Sequence, residues 1–522
     1  MLRSLKWFGL INILMVALGS CSPPIYPTQS PTISQTSTVV STSTAKIVVT
    51  QTSAPTEVPG NSVNPLTGLQ VQDPTLLDYP AGLVSISHFP PAARPQAGLS
   101  FAPFVFEIYI TEGATRFLTT FYGQMPEPQP VVNGKCEVRT TPFRQTELVL
   151  GNRIWRDANQ NNIEDPWEQG IGGVCVNLYD ANNNLLQQTT TDSNGYYAFN
   201  VSAGKYFIEV QKPDGMEFDQ QHVGDENQDS DVDQTTGRSA AVDVQSTLLN
   251  VDVGLILLND PILTSDLAPA QVGPVRSGRL IYRYIADFFP GSCLIFAYAS
   301  AEVLVKLPKC SFVDHILQGG GYMLPIDEMK QLVTDRKNVE TRNYYVSNAF
   351  SNDVPAGGKP ATRLDEFIAW LNQSAWDYDA ASQSYWRYVD TADPDNADVL
   401  HAEVDRLTRR QLQFENVIVL FAKHDVIKPT NLDIHLDQGL DGKAILFRDG
   451  QRFDVRWSTK LTDDETKNGV RKPIQIYYPD SDTLFPLKPG HTWVIVVTPQ
   501  SQVIDQSNGI WKLVFTQPSG AK

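Results

Sequence analysis

Residues 157–168 place oxygen-bearing side chains at the spacing of a twelve-residue calcium-binding loop. With Asp157 as position 1, side-chain oxygens recur at positions 1, 3, 5, 9 and 12, and a backbone carbonyl falls at position 7. A calcium ion takes roughly six to eight oxygen ligands, so these groups can converge on one ion. The predicted ligands are Asp157, Asn159, Asn161, the carbonyl of Ile163, Asp165 and Glu168. The alternative is a solvated acidic turn that binds no metal.

The segments on either side of this loop have the pattern of β-strands. Residues 149–155 and 174–179 are rich in β-branched and aromatic side chains and alternate between apolar and polar positions. Asn162 stands at position 6, where an EF-hand has glycine, and asparagine adopts left-handed backbone more readily than most residues. We therefore expect this loop to lie in a β-domain and not between two helices.

A second acidic segment lies at residues 225–233. Asp229, Asp231 and Asp233 alternate with other residues, so in an extended chain their carboxylates point to one side and repel one another. A bound cation relieves that repulsion, which adds these three aspartates to the predicted calcium ligands. Between the two acidic segments, an Asn-Gly pair at 194–195 precedes an alternating aromatic run and predicts a β-hairpin.

Residues 148–257 resemble the B-type domain of serine-aspartate-repeat (SdrD) surface adhesins, which is similar to collagen-adhesin B repeats. Five pieces carry the resemblance, namely residues 151–155, 157–168, 170–174, 192–199 and 229–237. The resemblance implies a small β-sandwich that is rigidified by structural Ca²⁺. It also implies a spacer or a ligand-presenting module, and not an enzyme.

The N-terminus has the features of an export signal. Arg3 and Lys6 precede an apolar run that is shorter than the roughly 20 residues needed to span a bilayer. The run ends in Leu-Gly-Ser-Cys at 18–21, which resembles the lipobox of bacterial lipoproteins and implies a signal peptide over 1–20 and a lipid on Cys21. An ordinary secretory signal is the alternative. We expect an extracytoplasmic protein, lipid-anchored to the bacterial cell membrane or exposed at the cell surface.

Residues 21–62 are rich in serine, threonine and proline, with Lys46 and Glu57 as their only charges, so they cannot bury a core. We expect a tether, either bare or carrying O-linked sugars. Four cysteines remain besides Cys21, and two of them, Cys293 and Cys310, either close a disulfide loop or stay as free thiols. The other two are Cys136 and Cys175.

The net charge of −17 is concentrated in residues 148–257, where 17 acidic residues stand against 5 basic ones. Nucleic-acid binding needs a basic stripe, so nucleic acid is not an expected partner. The expected partners are the membrane, through the lipid on Cys21, and a cell-wall glycan or a surface protein.

The sequence on both sides of residues 148–257 resembles the YerB-like lipoprotein family, domain of unknown function 3048. The matching pieces are residues 64–69, 93–100, 106–107, 112–117 and 272–279, with C-terminal marks at 442–444, 447–450, 455–457 and 487–493. In that family the Thr-Arg-Phe strand is followed closely by Gly-Pro-Val-Arg-Ser, whereas here residues 148–257 intervene. The resemblance implies an α+β N-terminal domain over 63–130 and 262–395, interrupted by the all-β calcium-binding sandwich, and a mostly β C-terminal domain over 405–518.

The YerB-like part carries a constellation of polar residues: Glu107, Glu112, Arg116, Arg276, Ser277, Arg279 and Asn343. In a regular strand Glu112 and Arg116 share a face and could pair, whereas Glu107 and Glu112 face opposite ways. Three roles remain open for this constellation, because each of them brings arginines and carboxylates together. They are structural ion pairing, a cleft for an anionic or sugar-containing cell-wall component, and catalysis.

Two functions of different classes follow from these patterns. The first is a noncatalytic lipid-anchored cell-envelope protein with a calcium-rigidified adhesin-type module. The second is an envelope enzyme or binding protein that acts on a cell-wall polymer through an Arg/Glu-lined cleft. The sequence contains no Gly-x-Ser-x-Gly, no His-Glu-x-x-His and no phosphate loop, so we name no catalytic residue and do not expect enzymatic activity.

Overall fold

The computed structural model describes residues 63–129, 148–165, 168–192, 194–213, 215–257, 267–308, 310–312, 322–336, 345–380, 382–467 and 472–521. The predicted signal peptide and tether, together with Cys21, Cys136 and Asn343, lie outside these residues. The described chain is mostly β and contains more than one hydrophobic core. Within it, no helix combines the length and apolar character needed to span a bilayer.

Residues 63–129 begin the large sheet of the protein. Its first strands are β1 (Gly82–Ser87), β2 (Phe104–Thr111) and β3 (Ala114–Phe121), and short 3-10 helices span Pro74–Asp78, Pro91–Ala93 and Leu99–Phe101. A two-residue turn joins β2 to β3, and both of its residues have positive φ, 51° at Glu112 and 78° at Gly113. This is the backbone that tight hairpins require, because it matches the twist of the flanking strands.

Residues 148–257, which we call the inserted module, form two sheets around a core of their own. The strands are β4 (Leu148–Arg156), β5 (Cys175–Asp180), β6 (Leu185–Thr190), β7 (Tyr196–Val201), β8 (Gly204–Val210), β9 (Met216–Phe218), β10 (Val242–Val244), β11 (Leu248–Leu249) and β12 (Val253–Leu257). One sheet has the order β10-β8-β5-β6, and the other has the order β11-β4-β12-β9, with β7 also paired to β4. Alternating apolar residues such as Ile154, Leu178 and Phe199 fill the space between them, as in a β-sandwich.

The remaining described residues continue the large sheet and add four short helices. The first group is β13 (Gln271–Val275), α1 (Tyr282–Phe288), β14 (Cys293–Phe296), α2 (Ala301–Leu304), β15 (Ser311–Phe312), β16 (Tyr322–Pro325), α3 (Ile326–Asp335), β17 (Lys359–Pro360), β18 (Arg363–Ala369), β19 (Asn372–Asp379) and β20 (Ser384–Val389). The second group is β21 (His401–Ala402), β22 (Val404–Asp405), β23 (Arg410–Gln411), β24 (Gln413–Phe414), β25 (Asn416–Phe421), β26 (His424–Lys428), β27 (Asn431–Ile434), β28 (Asp441–Arg448), β29 (Gln451–Ser458), α4 (Asp463–Lys467), β30 (Gln475–Tyr477), β31 (Thr492–Val497), β32 (Gln502–Asp505) and β33 (Ile510–Val514).

The strands before and after the inserted module pair directly in the large sheet. Its main order is β15-β14-β1-β3-β2-β31-β25-β28-β29-β17. β1 pairs in parallel with β14, with Gly82 opposite Cys293, and a disulfide joins Cys293 to Cys310. β2 pairs in parallel with β31, with Phe104 opposite Thr492, so strands that precede and follow the module share this sheet and its core. We call everything described outside the module the host.

The inserted module contacts the host at the end where its acidic loop finishes. Gln129 of the host donates from Nε2 to Oε1 of Gln169 at 2.9 Å, and Gln169 directly follows Glu168. Asn194 of the module donates from Nδ2 to Oε1 of Gln413 at 2.6 Å. These polar contacts place the 157–168 loop at the side of the module that faces the host.

Candidate metal centre and arginine cluster

The 157–168 loop is wound around the carboxylate of Asp157, which is 2% exposed. Its Oδ1 accepts the backbone N–H of Gln160 at 2.6 Å, and its Oδ2 accepts that of Asn162 at 2.7 Å. Gln160 and Asn162 have φ of 59° and 62°, so the left-handed backbone predicted at Asn162 is confirmed. The loop therefore curls back so that its first acidic side chain lies at its centre.

Glu168 closes the same loop from its other end and is also buried. Its Oε1 accepts the N–H of Ala158 at 2.8 Å, and its Oε2 accepts that of Asp165 at 3.1 Å. Burial raises the pKa of Glu168 to about 7. Asn159 and Asn161 each donate an amide N–H to Oδ2 of Asp165, at 2.8 and 3.0 Å. The predicted side-chain ligands of the loop thus lie in one hydrogen-bonded group.

A further buried carboxylate, Asp219, reaches this group from outside the loop. Asp219 follows β9 and is 0% exposed, and neither of its carboxylate oxygens has a hydrogen-bond donor among the described residues. Burial, together with the negative charges of Asp157 and Glu168, raises the pKa of Asp219 to about 7. An unpaired buried carboxylate is costly unless a cation compensates it. Asp157, Glu168 and Asp219 therefore offer the hard oxygen donors that Ca²⁺ prefers.

The sequence pattern did not reveal Asp219, because it belongs neither to the loop spacing nor to the second acidic segment. Only the pairing of β9 with β12, which places Phe218 opposite Leu255, brings it beside the loop. The signal in the sequence was a single acidic residue at the end of a short strand, and such residues are common at strand ends.

The second acidic segment forms a separate cluster with a histidine. His222, Asp229 and Asp231 offer ligand atoms that all lie within 4.8 Å of one another. Asp229 is 4% exposed, its Oδ2 lies 3.1 Å from Nδ1 of His222, and its Oδ1 has no hydrogen-bond donor among the described residues. Burial raises the pKa of Asp231 to about 6. The alternation in the sequence located both aspartates but not the histidine.

Asp233 does not join that cluster. Its Oδ1 accepts the backbone N–H groups of Thr235 at 3.0 Å and Thr236 at 2.9 Å, together with the Thr236 hydroxyl. These hydrogen bonds lower the pKa of Asp233. The chain turns at this point and does not continue as an extended strand, so the structure brings Asp229 and Asp231 together and leaves Asp233 as the cap of a turn.

The polar constellation of the host does not form one cleft. Glu107 lies opposite Phe117 in the β2–β3 register, so Glu107 and Arg116 project to opposite faces of the sheet. Glu107 is 1% exposed, accepts the indole N–H of Trp493 at 3.0 Å, and lies 3.1 Å from Nη2 of Arg387. Glu107 thus belongs to a buried ion-pair network on one face, and Arg116 belongs to the other face.

Glu112 does not pair with Arg116, and the expectation that the two share a strand face was wrong. Glu112 is exposed and takes the first position of the β2–β3 turn, where φ is 51°. The turn interrupts the alternation on which the expectation depended. Asn343, the last member of the constellation, lies outside the described residues.

The four remaining members of the constellation lie together, and we call them the arginine cluster: Arg116, Arg276, Ser277 and Arg279. Nη1 of Arg116 lies 3.4 Å and Nη2 of Arg279 lies 3.3 Å from the hydroxyl oxygen of Ser277. Burial lowers the pKa of Arg116 to about 9, and the charges of Arg279 and Arg276 act in the same direction. The cluster therefore concentrates positive charge at one point of the sheet face.

Comparison with known families assigns three stretches of the chain. Residues 66–132 match the N-terminal domain and residues 367–494 match the C-terminal domain of a protein of unknown function (DUF3048), and residues 148–255 match the SdrD B-like domain. The two family resemblances inferred from the sequence are thus confirmed, and the inserted module is the SdrD B-like part.

Two curated relatives are similar to part of this chain. The serine-aspartate repeat-containing protein I of Staphylococcus saprophyticus is 44% identical over 78 residues, which cover 15% of this chain and 4% of that protein. The fibrinogen-binding protein of Staphylococcus epidermidis is 40% identical over 104 residues, which cover 19% of this chain and 10% of that protein. The chain thus spans a tenth or less of these two relatives.

Among solved structures, the YerB protein from Bacillus subtilis is 17% identical to this chain. The alignment covers 83% of this chain and 96% of that chain, with a TM-score of 0.42.

Proposed function

We propose that this DUF3048 protein is a noncatalytic, lipid-anchored protein of the cell surface, and that Ca²⁺ stiffens its SdrD B-like module. The module acts as a spacer or presents a binding surface, and the lipid on Cys21 attaches the chain to the membrane. The observation that carries the proposal is the fully buried carboxylate of Asp219, which lies beside Asp157 and Glu168 and has no hydrogen-bond donor among the described residues.

The position of these carboxylates supports a structural role for the ion. Asp157 and Glu168 stand at the two ends of the loop, and Asp219 belongs to the chain that follows β9, so one ion would tie three separate stretches together. Gln169 directly follows Glu168, and its side-chain oxygen accepts a hydrogen bond from Gln129 of the host at 2.9 Å. A stiff loop would therefore also hold the module in one orientation on the host, as a spacer requires.

The binding range of extracellular calcium modules fits this role. Such modules bind with Kd values of about 10⁻⁴ to 10⁻³ M, so the ion would be a permanent constituent outside the cell and not a signal. One relative is named a fibrinogen-binding protein, and a surface protein is accordingly one candidate partner of the module, with a cell-wall glycan as the other.

The second candidate function is an envelope enzyme or binding protein with an Arg/Glu-lined cleft. The placement of Glu107 and Arg116 on opposite faces of the sheet favours the noncatalytic function, because a general acid or base must lie within reach of the same substrate as the arginines.

Calcium titration of the soluble chain tests the proposal. We expect the melting temperature to rise with Ca²⁺, since a ligand bound only by the folded state stabilises it by about 2.7 kcal/mol at a hundredfold excess over Kd. Asp219→Asn should remove most of this shift. Asp243→Asn, at an exposed acidic position of the same module, is the matched control and should keep it. An identical melting curve in calcium and in chelator would contradict the metal assignment.

A further inference from the structure

The arginine cluster is a concentration of positive charge that the proposed function does not use. We propose that Arg116, Ser277 and Arg279, with Arg276 at their edge, form a binding site for a phosphate group. The site lies in the host and is independent of the metal centre in the inserted module.

The first observation is that Arg116 and Arg279 lack, among the described residues, the carboxylate partners that other arginines of the host have. Arg283 lies 2.7 Å from Asp433, Arg363 lies 2.8 Å from Asp377, and Arg387 lies 2.5 Å from Glu403. In the described part of the chain, neither Arg116 nor Arg279 has a carboxylate oxygen within 4.0 Å. A buried cation is normally paired with an anion. Because the described residues supply no carboxylate to these two guanidinium groups, we expect a bound anion to take that place.

The second observation is that the hydrogen-bonding capacity of the two side chains is largely unused. Arg116 is 5% exposed, and its Nε and that of Arg279 are buried without an acceptor in the described residues. Their contacts to the Ser277 hydroxyl, at 3.4 and 3.3 Å, are long for hydrogen bonds. Each guanidinium has five N–H donors, so a single shared hydroxyl satisfies only a small part of them.

The scaffold holds the cluster in place. The N–H of Arg276 donates to the carbonyl of Ser85 at 2.8 Å, and the hydroxyl of Ser85 lies 3.2 Å from the carbonyl of Ser277. The same hydroxyl lies 3.0 Å from the hydroxyl of Tyr282, at the start of α1. These bonds tie the 276–279 segment to β1 before any ligand arrives, and a site that is already arranged loses less entropy on binding.

The cluster is reachable from solvent on one side. Arg116 is buried in the sheet, whereas Arg276, Ser277 and Arg279 are only partly buried. A small anion can therefore approach over the serine hydroxyl and meet both guanidinium groups. A phosphate fits this arrangement because its several oxygens accept bidentate bonds from two arginines at once, whereas one carboxylate offsets a single positive charge.

Phosphate groups occur both in small monoesters and in phosphodiester polymers, and binding measurements on the soluble full chain separate the two sources. Calorimetric titration should show binding of inorganic phosphate or of a poly(glycerol phosphate), with acetate binding more weakly at matched ionic strength. Binding of the polymer identifies a phosphodiester ligand. Binding of inorganic phosphate without binding of the polymer identifies a phosphate monoester. Absence of binding by both would overturn the proposal.

Substitutions separate a specific site from general electrostatic attraction. Arg279→Gln should weaken binding at least about tenfold, and Arg279→Lys should weaken it less, since it keeps the charge but loses the planar fork. Arg283→Gln removes the same charge from an arginine of the host that Asp433 already neutralises, and it should leave the affinity unchanged. Equal weakening by Arg279→Gln and Arg283→Gln would also overturn the proposal.

The stability of the anion-free variants provides a second readout. Arg279→Gln should melt at the same temperature as the parent chain or higher, because it removes the repulsion between Arg279 and Arg116. If that variant does not fold, Ser277→Ala replaces it, and an affinity for phosphate equal to that of the parent chain would then count against the site.

Discussion

The backbone N–H of Asp219 donates to the carbonyl of Gly254 at 3.0 Å, and this bond places the Asp219 carboxylate against a position that has no side chain. A Cβ at residue 254 would lie 1.8 Å from Oδ2 of Asp219. The glycine of β12 therefore leaves the space that the third carboxylate of the candidate metal centre occupies, although the two residues are far apart in sequence.

The first prediction concerns this glycine. Gly254→Ala should displace Asp219, lower the stability of the module by about 1–3 kcal/mol through overpacking, and abolish the calcium-dependent rise in melting temperature. Differential scanning calorimetry with Ca²⁺ and with chelator measures both effects. Gly204→Ala is the control, because its Cβ would meet only the side chain of Tyr206, at 3.3 Å. A full calcium shift in Gly254→Ala would show that Asp219 is not a ligand.

The second prediction concerns the anchor. If the thiol of Cys21 carries the lipid, Cys21→Ser should release the protein into the soluble fraction or leave the precursor uncleaved. Cell fractionation followed by immunoblotting distinguishes these products from the membrane-bound form. Cys175→Ser, which leaves the proposed lipidation site intact, should stay in the membrane fraction. A correctly processed Cys21→Ser protein that remains in the membrane would exclude lipid attachment at this residue.

The third prediction concerns the insertion. β1 pairs with β14 across the module, so the host core does not depend on the module for its own strand pairing. Replacing residues 131–260 by a short Gly/Ser bridge should therefore leave a host that unfolds in one cooperative transition in urea. The entropic cost of closing a loop depends only weakly on its length, so the shorter connection should not destabilise the host. Loss of cooperativity in this deletion would mean that the module is part of the host core.

The fourth prediction concerns the buried network around Arg387. Burial, together with the charge of Glu107, raises the pKa of Glu366 to about 8. The folded protein then holds a proton that the unfolded chain loses near its ordinary pKa of about 4.3, so stability falls as the pH rises from about 4 to about 8. Glu366→Gln cannot ionise and should show a flatter dependence of the free energy of unfolding on pH.

Urea denaturation at a series of pH values checks this slope. Glu217→Gln, at an exposed position of the inserted module, serves as the control and should reproduce the parent profile. Parallel profiles for the parent chain and Glu366→Gln would show that Glu366 does not titrate in this range.

Patterns within short stretches of sequence were sufficient for the local features of the fold. The oxygen spacing of the 157–168 loop predicted that its acidic side chains gather, and Asn162 takes the left-handed backbone expected of it. The Asn-Gly pair at 194–195 does lie in a turn, where the N–H of Gly195 donates to the carbonyl of Asp192 at 3.2 Å. The hairpin predicted there is wrong, because β7 pairs with β4 whereas β6 pairs with β5 in the other sheet. Both family resemblances were visible as well. These features depend on neighbours in the chain, which is why the sequence alone determines them.

Contacts between distant residues required the tertiary structure. Asp219 joins Asp157 and Glu168 only because β9 pairs with β12, and Glu107 separates from Arg116 only because the β2–β3 register alternates faces. The large sheet unites the two stretches that match the DUF3048 domains, because β2 pairs with β31 and the paired residues lie almost four hundred positions apart in the sequence. Strand pairing over such distances depends on the packing of the whole core and not on any local pattern. The sequence by itself therefore determined the loops and motifs, and the tertiary structure determined which of them come into contact.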